Sequence, residues 1–237
     1  MVSVHPISRI FWLNSLVVLA VTIERFSGTT RVVLPPHSFL TLHQLIQTAV
    51  LILASVVLAM LLFWETSGHL KALPGRSAVW LSVLFTAGTY LYGAGEGLHE
   101  LASYLLGATC DADHPVGDLC GGLFVNDFYT GNILFFAGAA LITAVPVVAE
   151  RLNASPDPRR PGMVSLLVNA VVFAFTVVAY AAFDTVRVGL IFALVMLAFT
   201  SAMWLPVRTR VSRYPVTTYS FITYALGAVV SLAIRLL

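Results

Sequence analysis

The chain has 237 residues, of which 59% are hydrophobic and only 10% are charged, and its net charge is +2. Average globular domains carry about 25% charged residues, and a mean hydropathy of +0.91 lies far outside their range. The composition therefore excludes a soluble protein, and no nucleic-acid partner is expected. It predicts one all-α, polytopic membrane domain over residues 1–237.

Seven apolar segments follow one another along the chain, each close to the roughly 20 residues that a membrane-spanning helix needs. Turn-forming or charged residues separate them, as at Pro35-Pro36 and Pro74-Gly75. The break from Asp184 to Arg187 is so short that segments five and six are expected to form an antiparallel hairpin. The predicted helices cover residues 7–24, 39–64, 78–106, 123–149, 163–183, 187–206 and 215–235.

Lysine and arginine are distributed unequally between the two sides of this bundle. Nine of them fall on one side and four on the other, which predicts a cytoplasmic N-terminus and an outer C-terminus in a plasma or prokaryotic inner membrane. The nine are Arg9, Lys71, Arg76, Arg151, Arg159, Arg160, Arg208, Arg210 and Arg213, and the four are Arg25, Arg31, Arg187 and Arg235.

The two cysteines, Cys110 and Cys120, lie in the loop between segments three and four, on the predicted outer side. Disulfides persist in oxidising compartments, so we expect these residues to be bonded to each other. Such a bond would join the outer ends of two helices and stabilise the fold by about 2–3 kcal/mol.

Ionisable residues interrupt the apolar segments near the same predicted outer face. Glu96, His99 and Glu100 lie in segment three, while His43 and Asp127 lie just inside segments two and four. At 1.5 Å per residue, both histidines and Asp127 lie roughly 6–11 Å below the outer helix ends. Ionisable groups are costly inside a membrane and usually mark function, so this layer is the predicted site.

The spacing of this layer favours a metal. Glu96 and His99 are three residues apart and share a helix face, as in the Glu-x-x-His motifs of helical-bundle metal sites. We expect His43, Glu96 and His99 to converge on zinc or iron, with Glu24 or Asp127 nearby. The bound water would be activated for hydrolysis or oxidation of a lipidic substrate, with Asp127 or Glu100 as general base.

Other interpretations of the same residues remain open. They could form a polar network between helices without a metal, or an ion or proton path. The protein would then be a non-catalytic subunit of a membrane complex, or a bundle that binds an ion or small ligand. His43 and His99 could also ligate haem b axially. Retinal is excluded because Lys71, the sole lysine, lies in a loop. Membrane lipids are the expected partners, with other membrane subunits as an open alternative.

The orientation can be tested with reporters fused to the two termini. The nine-to-four distribution predicts that a reporter at the N-terminus is active in the cytoplasm and one at the C-terminus outside. Reporters active in the same compartment would contradict the count of seven helices.

Overall fold

The computed structural model describes residues 6–36, 39–111, 113–153, 162–183 and 186–237. Seven long helices follow in the predicted order, and an isolated bridge between Val33 and Thr41 is the sole β pairing among the described residues. Arg159, Arg160 and Asp184, used in the sequence predictions, lie outside the described ranges. The helices are α1, Pro6–Arg25; α2, Leu42–Thr66; α3, Gly75–Thr109; α4, Gly117–Leu152; α5, Met163–Phe183; α6, Val188–Trp204; and α7, Pro215–Leu236.

The protein is an all-α, multi-pass membrane protein. Six helices are long and apolar enough to cross a membrane, and the remaining one, α3, is 35 residues long and contains Glu96, His99 and Glu100. The predicted disulfide between Cys110 and Cys120 is confirmed, with a Cα–Cα separation of 5.8 Å. It joins the end of α3 to the first turn of α4.

Two polar residues of α1, the helix formed by segment one, face neighbouring helices. Ser15 donates a 2.5 Å hydrogen bond to the buried side chain of Asn169 on α5. Asn14 donates to the hydroxyl of Tyr219 on α7, at 3.2 Å. In a membrane, polar side chains of this kind link helices because lipid offers them no partner. The low hydropathy of α1 therefore reflects contacts inside the bundle.

A buried carboxylate connects α4 to the start of α7. Glu150 is 2% exposed, and its side chain accepts hydrogen bonds from the backbone amides of Val216 at 2.8 Å and Thr217 at 2.7 Å. The Thr217 hydroxyl donates a third bond at 2.7 Å. The first amides of a helix have no partner within it and carry partial positive charge, so Glu150 satisfies both needs. The sequence analysis did not identify this residue.

Helices α3 and α4 form the closest pair in the bundle, because glycines face each other across their contact. Gly88 and Gly95 on α3 are seven residues apart, as are Gly131 and Gly138 on α4. A Cβ atom at Gly95 would overlap the backbone nitrogen of Phe135. Small residues of this kind let helix backbones approach closely in a membrane, and here they fix the position of α4 against α3.

Alanine substitutions on one helix test this packing. We expect Gly95→Ala to lower the free energy of unfolding by about 1–3 kcal/mol, because the added methyl group has no room. Thermal unfolding in a mild detergent measures the change.

Gly97→Ala is the matched control, since a Cβ there meets nothing within 4 Å. It should leave stability unchanged or raise it by up to about 1 kcal/mol through the higher helix propensity of alanine. Equal effects of the two substitutions would contradict the proposed tight contact.

Candidate functional site

The candidate site lies at the end of the bundle that carries the disulfide, and two irregular helical turns shape it. Residues Ile46–Leu51 of α2 and Asn126–Gly131 of α4 form π-helical turns, the two found in the described part of the chain. The first begins just after His43 and contains Gln47, and the second contains Asp127. Single π turns inside α-helices are frequent at functional sites. Here each accompanies a buried polar group.

The first part of the site is a histidine that lies between two glutamates. His43 on α2 places its Nδ1 atom 2.8 Å from the carboxylate of Glu24 at the end of α1. Its Nε2 atom is 3.8 Å from Glu100 Oε2 on α3. All three side chains are at most 10% exposed. A single imidazole thus bridges carboxylates from two other helices.

Neighbouring side chains hold the two glutamates in place. Gln47 donates to Glu24 Oε2 at 2.8 Å, and Thr29 donates to Glu24 Oε1 at 2.5 Å. Gln44 donates to Glu100 at 3.4 Å, while its own carbonyl oxygen accepts from the backbone and hydroxyl of Thr41. Gln44 and Gln47 thus bind the carboxylates on either side of the His43 imidazole.

The second part of the site pairs His99 with Asp127. His99 Nδ1 lies 2.8 Å from Asp127 Oδ1 and 3.1 Å from the Asp127 backbone carbonyl. The ring N–H is directed at the carbonyl oxygen, and Oδ1 has no well-aligned donor. The His99 side chain is 29% exposed, whereas that of Asp127 is 7% exposed.

The structure does not bring His43, Glu96 and His99 to one point. Neighbouring residues of an α-helix point about 100° apart, so Glu100 faces α2 and His99 faces α4. Glu96, which is 7% exposed, lies one turn further along α3, between these two directions. No histidine or arginine nitrogen of the described residues is within ion-pair distance of Glu96.

The predicted set of metal ligands is therefore not assembled. Among the described residues, no group of three or more histidine, cysteine, aspartate or glutamate side chains is placed to hold a metal ion. Glu24, the predicted nearby ligand, is instead the partner of His43. Zinc, iron and haem b, and the roles of Asp127 and Glu100 as general bases, stay predictions.

Comparison with known proteins adds no functional information. The chain matches no family model, no curated protein and no solved structure.

Removing the imidazole of His43 tests whether the first part of the site contributes to the stability of the fold. His43→Ala leaves Glu24 and Glu100 buried without a positive partner, so we expect the free energy of unfolding to fall by about 3–5 kcal/mol. In a Glu24→Gln background the loss should be smaller, because the neutral amide needs no such partner. The loss of unfolding free energy caused by His43→Ala should be about 0.5–3 kcal/mol smaller in the Glu24→Gln background than in the wild-type protein. Thermal unfolding of the wild type, the two single variants and the double variant measures this difference.

His69→Ala provides the control for this experiment. His69 is at the opposite end of α2, its side chain is 53% exposed, and it lies 3.7 Å from Glu65. Its removal should change stability little, as for most exposed ion pairs. Strictly additive effects of His43→Ala and Glu24→Gln would mean that their contact contributes nothing.

Proposed function

We propose that this protein is an ion-handling membrane bundle whose acidic layer, at the disulfide-bearing end, binds and relays protons. The observation that carries the proposal is the bridge from Glu24 through His43 to Glu100. An imidazole can accept a proton at one nitrogen and release one from the other. His43 lies between two carboxylates, with its Nδ1 atom at hydrogen-bond distance from Glu24 and its Nε2 atom at ion-pair distance from Glu100.

Charge balance in this layer supports the proposal. It contains the four carboxylates of Glu24, Glu96, Glu100 and Asp127 and the two imidazoles of His43 and His99. Even with both imidazoles protonated, two negative charges remain, and Arg25, which is exposed at the end of α1, offsets at most one. Uncompensated charge at this depth is unfavourable by a few kcal/mol per group. The layer therefore requires added protons or a bound cation.

Protons account for this excess better than a metal does, given the contacts of the histidines. Both ring nitrogens of His43 face carboxylates, Nδ1 that of Glu24 and Nε2 that of Glu100. A ligating imidazole would need a free nitrogen directed at a shared point. The partial exposure of His99 offers protons a route into the layer. Metal-assisted hydrolysis or oxidation is accordingly not the function proposed here.

The setting of this activity follows from the sequence predictions. With the N-terminus in the cytoplasm, the acidic layer faces the outside of a cell membrane, where the disulfide is stable. Lipids surround the bundle, and any soluble or membrane-bound subunit that uses the protons would contact this outer end.

Infrared difference spectroscopy tests the proton-binding layer. We expect lipid-reconstituted protein to show the carbonyl stretch of a protonated carboxyl group, which shifts in heavy water and disappears as pH rises. Glu96→Gln and Glu100→Gln should each reduce this band, because each removes one carboxyl group from the layer. His43→Ala should change the pH at which the band disappears.

Glu65→Gln is the control, since Glu65 lies at the opposite end of α2 and its side chain is 30% exposed. It should leave the band unchanged. Elemental analysis of the same samples adds an independent check. A stoichiometric metal that is lost in His99→Ala would contradict the proton layer and favour the metal-assisted enzyme, as would a band that none of the substitutions affects.

A further inference from the structure

A second feature of the bundle lies between the acidic layer and Glu150. A cavity of about 210 Å³ is lined by residues of all seven helices of the bundle, and its wall contains nine aromatic rings and no charged residue. We propose that this cavity binds the hydrocarbon chain of a single-chain amphiphile whose polar end is not anionic. This inference goes beyond the proposed function, since the cavity and the acidic layer are made by different residues.

The cavity offers water few hydrogen-bond partners. The hydroxyls in its wall are largely bonded to the protein already: Ser55 donates to a backbone carbonyl at 2.9 Å, Thr176 at 2.7 Å and Thr223 at 3.3 Å. The side chain of Asn14 is bonded to the Tyr219 hydroxyl. A buried water needs two to four polar partners, and cavities without them stay dry and take up apolar molecules. The expected occupant is therefore apolar.

The shape of the cavity favours one chain. Along α1 its wall extends from Ile10 to Val21, which corresponds to about 16 Å along the helix axis. The volume of about 210 Å³ exceeds the roughly 150 Å³ that is sufficient for benzene. The space is thus large enough for an apolar ligand, and its length along α1 favours an extended alkyl chain.

The acidic layer determines which polar end can accompany such a chain. Tyr92 lines the cavity, and Glu96 follows it by four residues on the same face of α3. A chain lying in the cavity would place its polar end next to Glu96, with Glu100 one turn beyond. A carboxylate or phosphate there would add negative charge to a layer that already holds more carboxylates than cations, whereas a hydroxyl group could donate a hydrogen bond. The assignment of the polar end rests on the proposed function, whereas the binding of the hydrocarbon chain in the cavity does not.

Photolabelling in lipid nanodiscs tests the proposal. The probe is dodecanol carrying a diazirine at the end of its chain, and dodecanoate with the same diazirine is the comparison. After irradiation, mass spectrometry of peptides should locate dodecanol adducts on cavity residues such as Asn14, Thr176 and Tyr219. Dodecanoate should label these positions about tenfold less.

Two alanines of α4 provide a matched pair of variants. Ala139 lines the cavity, whereas Ala137 is exposed on the outer surface of the same helix. Ala139→Phe should reduce labelling of the cavity about tenfold, since it displaces at least two methylene groups of the chain. Ala137→Phe should not. Ala59→Phe, which fills the cavity from α2, replaces Ala139→Phe in this experiment if Ala139→Phe does not fold.

Each outcome decides a stated part of the proposal. Dodecanol adducts spread over exposed residues such as Leu16 and Val164, or cavity labelling unaffected by either filling variant, would overturn binding in the cavity. The map from the wild-type protein decides this point even if both filling variants unfold. Equal cavity labelling by dodecanol and dodecanoate would overturn the assignment of the polar end. Cavity labelling that persists in Glu96→Gln, Glu100→Gln and His43→Ala supports chain binding whether or not the proton layer exists.

Discussion

The close contact between α3 and α4 is the constraint on which the candidate site depends. Glycines on both helices bring the backbones together, and a Cβ atom at Gly131 would come within 2.9 Å of the Cβ of His99. Because the helices cannot separate, His99 must lie against Asp127. The same contact fixes the rotation of α3, which directs Glu100 towards α2 and His43. Two polar contacts on different faces of α3 are thus determined by packing.

The bundle accommodates its buried carboxylates in two different ways. Glu150 accepts hydrogen bonds from two backbone amides and a hydroxyl, which are donors whose charge does not change with pH. Glu24 and Glu100 instead lie on either side of one imidazole, that of His43. Glu96 has no described cationic partner within ion-pair distance. This contrast separates a structural carboxylate from the carboxylates of the proposed proton-binding layer.

Composition and segment length were sufficient to predict the helices. Each predicted segment corresponds to one helix, and the disulfide follows from the position of two cysteines in one loop. The largest difference between a predicted segment and its helix is at the start of α4, which was predicted at residue 123 and lies at Gly117. The start of this helix is polar and is joined to α3 through Cys120, so the apolar segment begins later than the helix. Apolar length is a strong signal since the membrane sets it directly.

The pairing of the site residues could not be predicted in the same way. Depth along each helix indicated that His43, His99 and Asp127 lie in a common layer, but depth gives no information on the direction of a side chain around its helix. That direction depends on the glycine contacts and on the π-helical turns, which have no clear sequence signature. Glu24 was expected as a ligand near a metal, and the contact with His43 arises because α1 ends beside the start of α2. In the sequence, nothing distinguishes Glu150 from other charged residues near helix ends.

The position of Glu150 in the chain also has a consequence for biosynthesis. Its partner Val216 is 66 residues further on, so at about 5–20 residues per second the ribosome completes α7 several seconds after α4. During that interval the Glu150 carboxylate lacks the backbone amides of Val216 and Thr217 and the Thr217 hydroxyl, to which it is bonded in the finished bundle. Addition of the last helix supplies these donors, so the contact between α4 and α7 can form only when the chain is nearly complete.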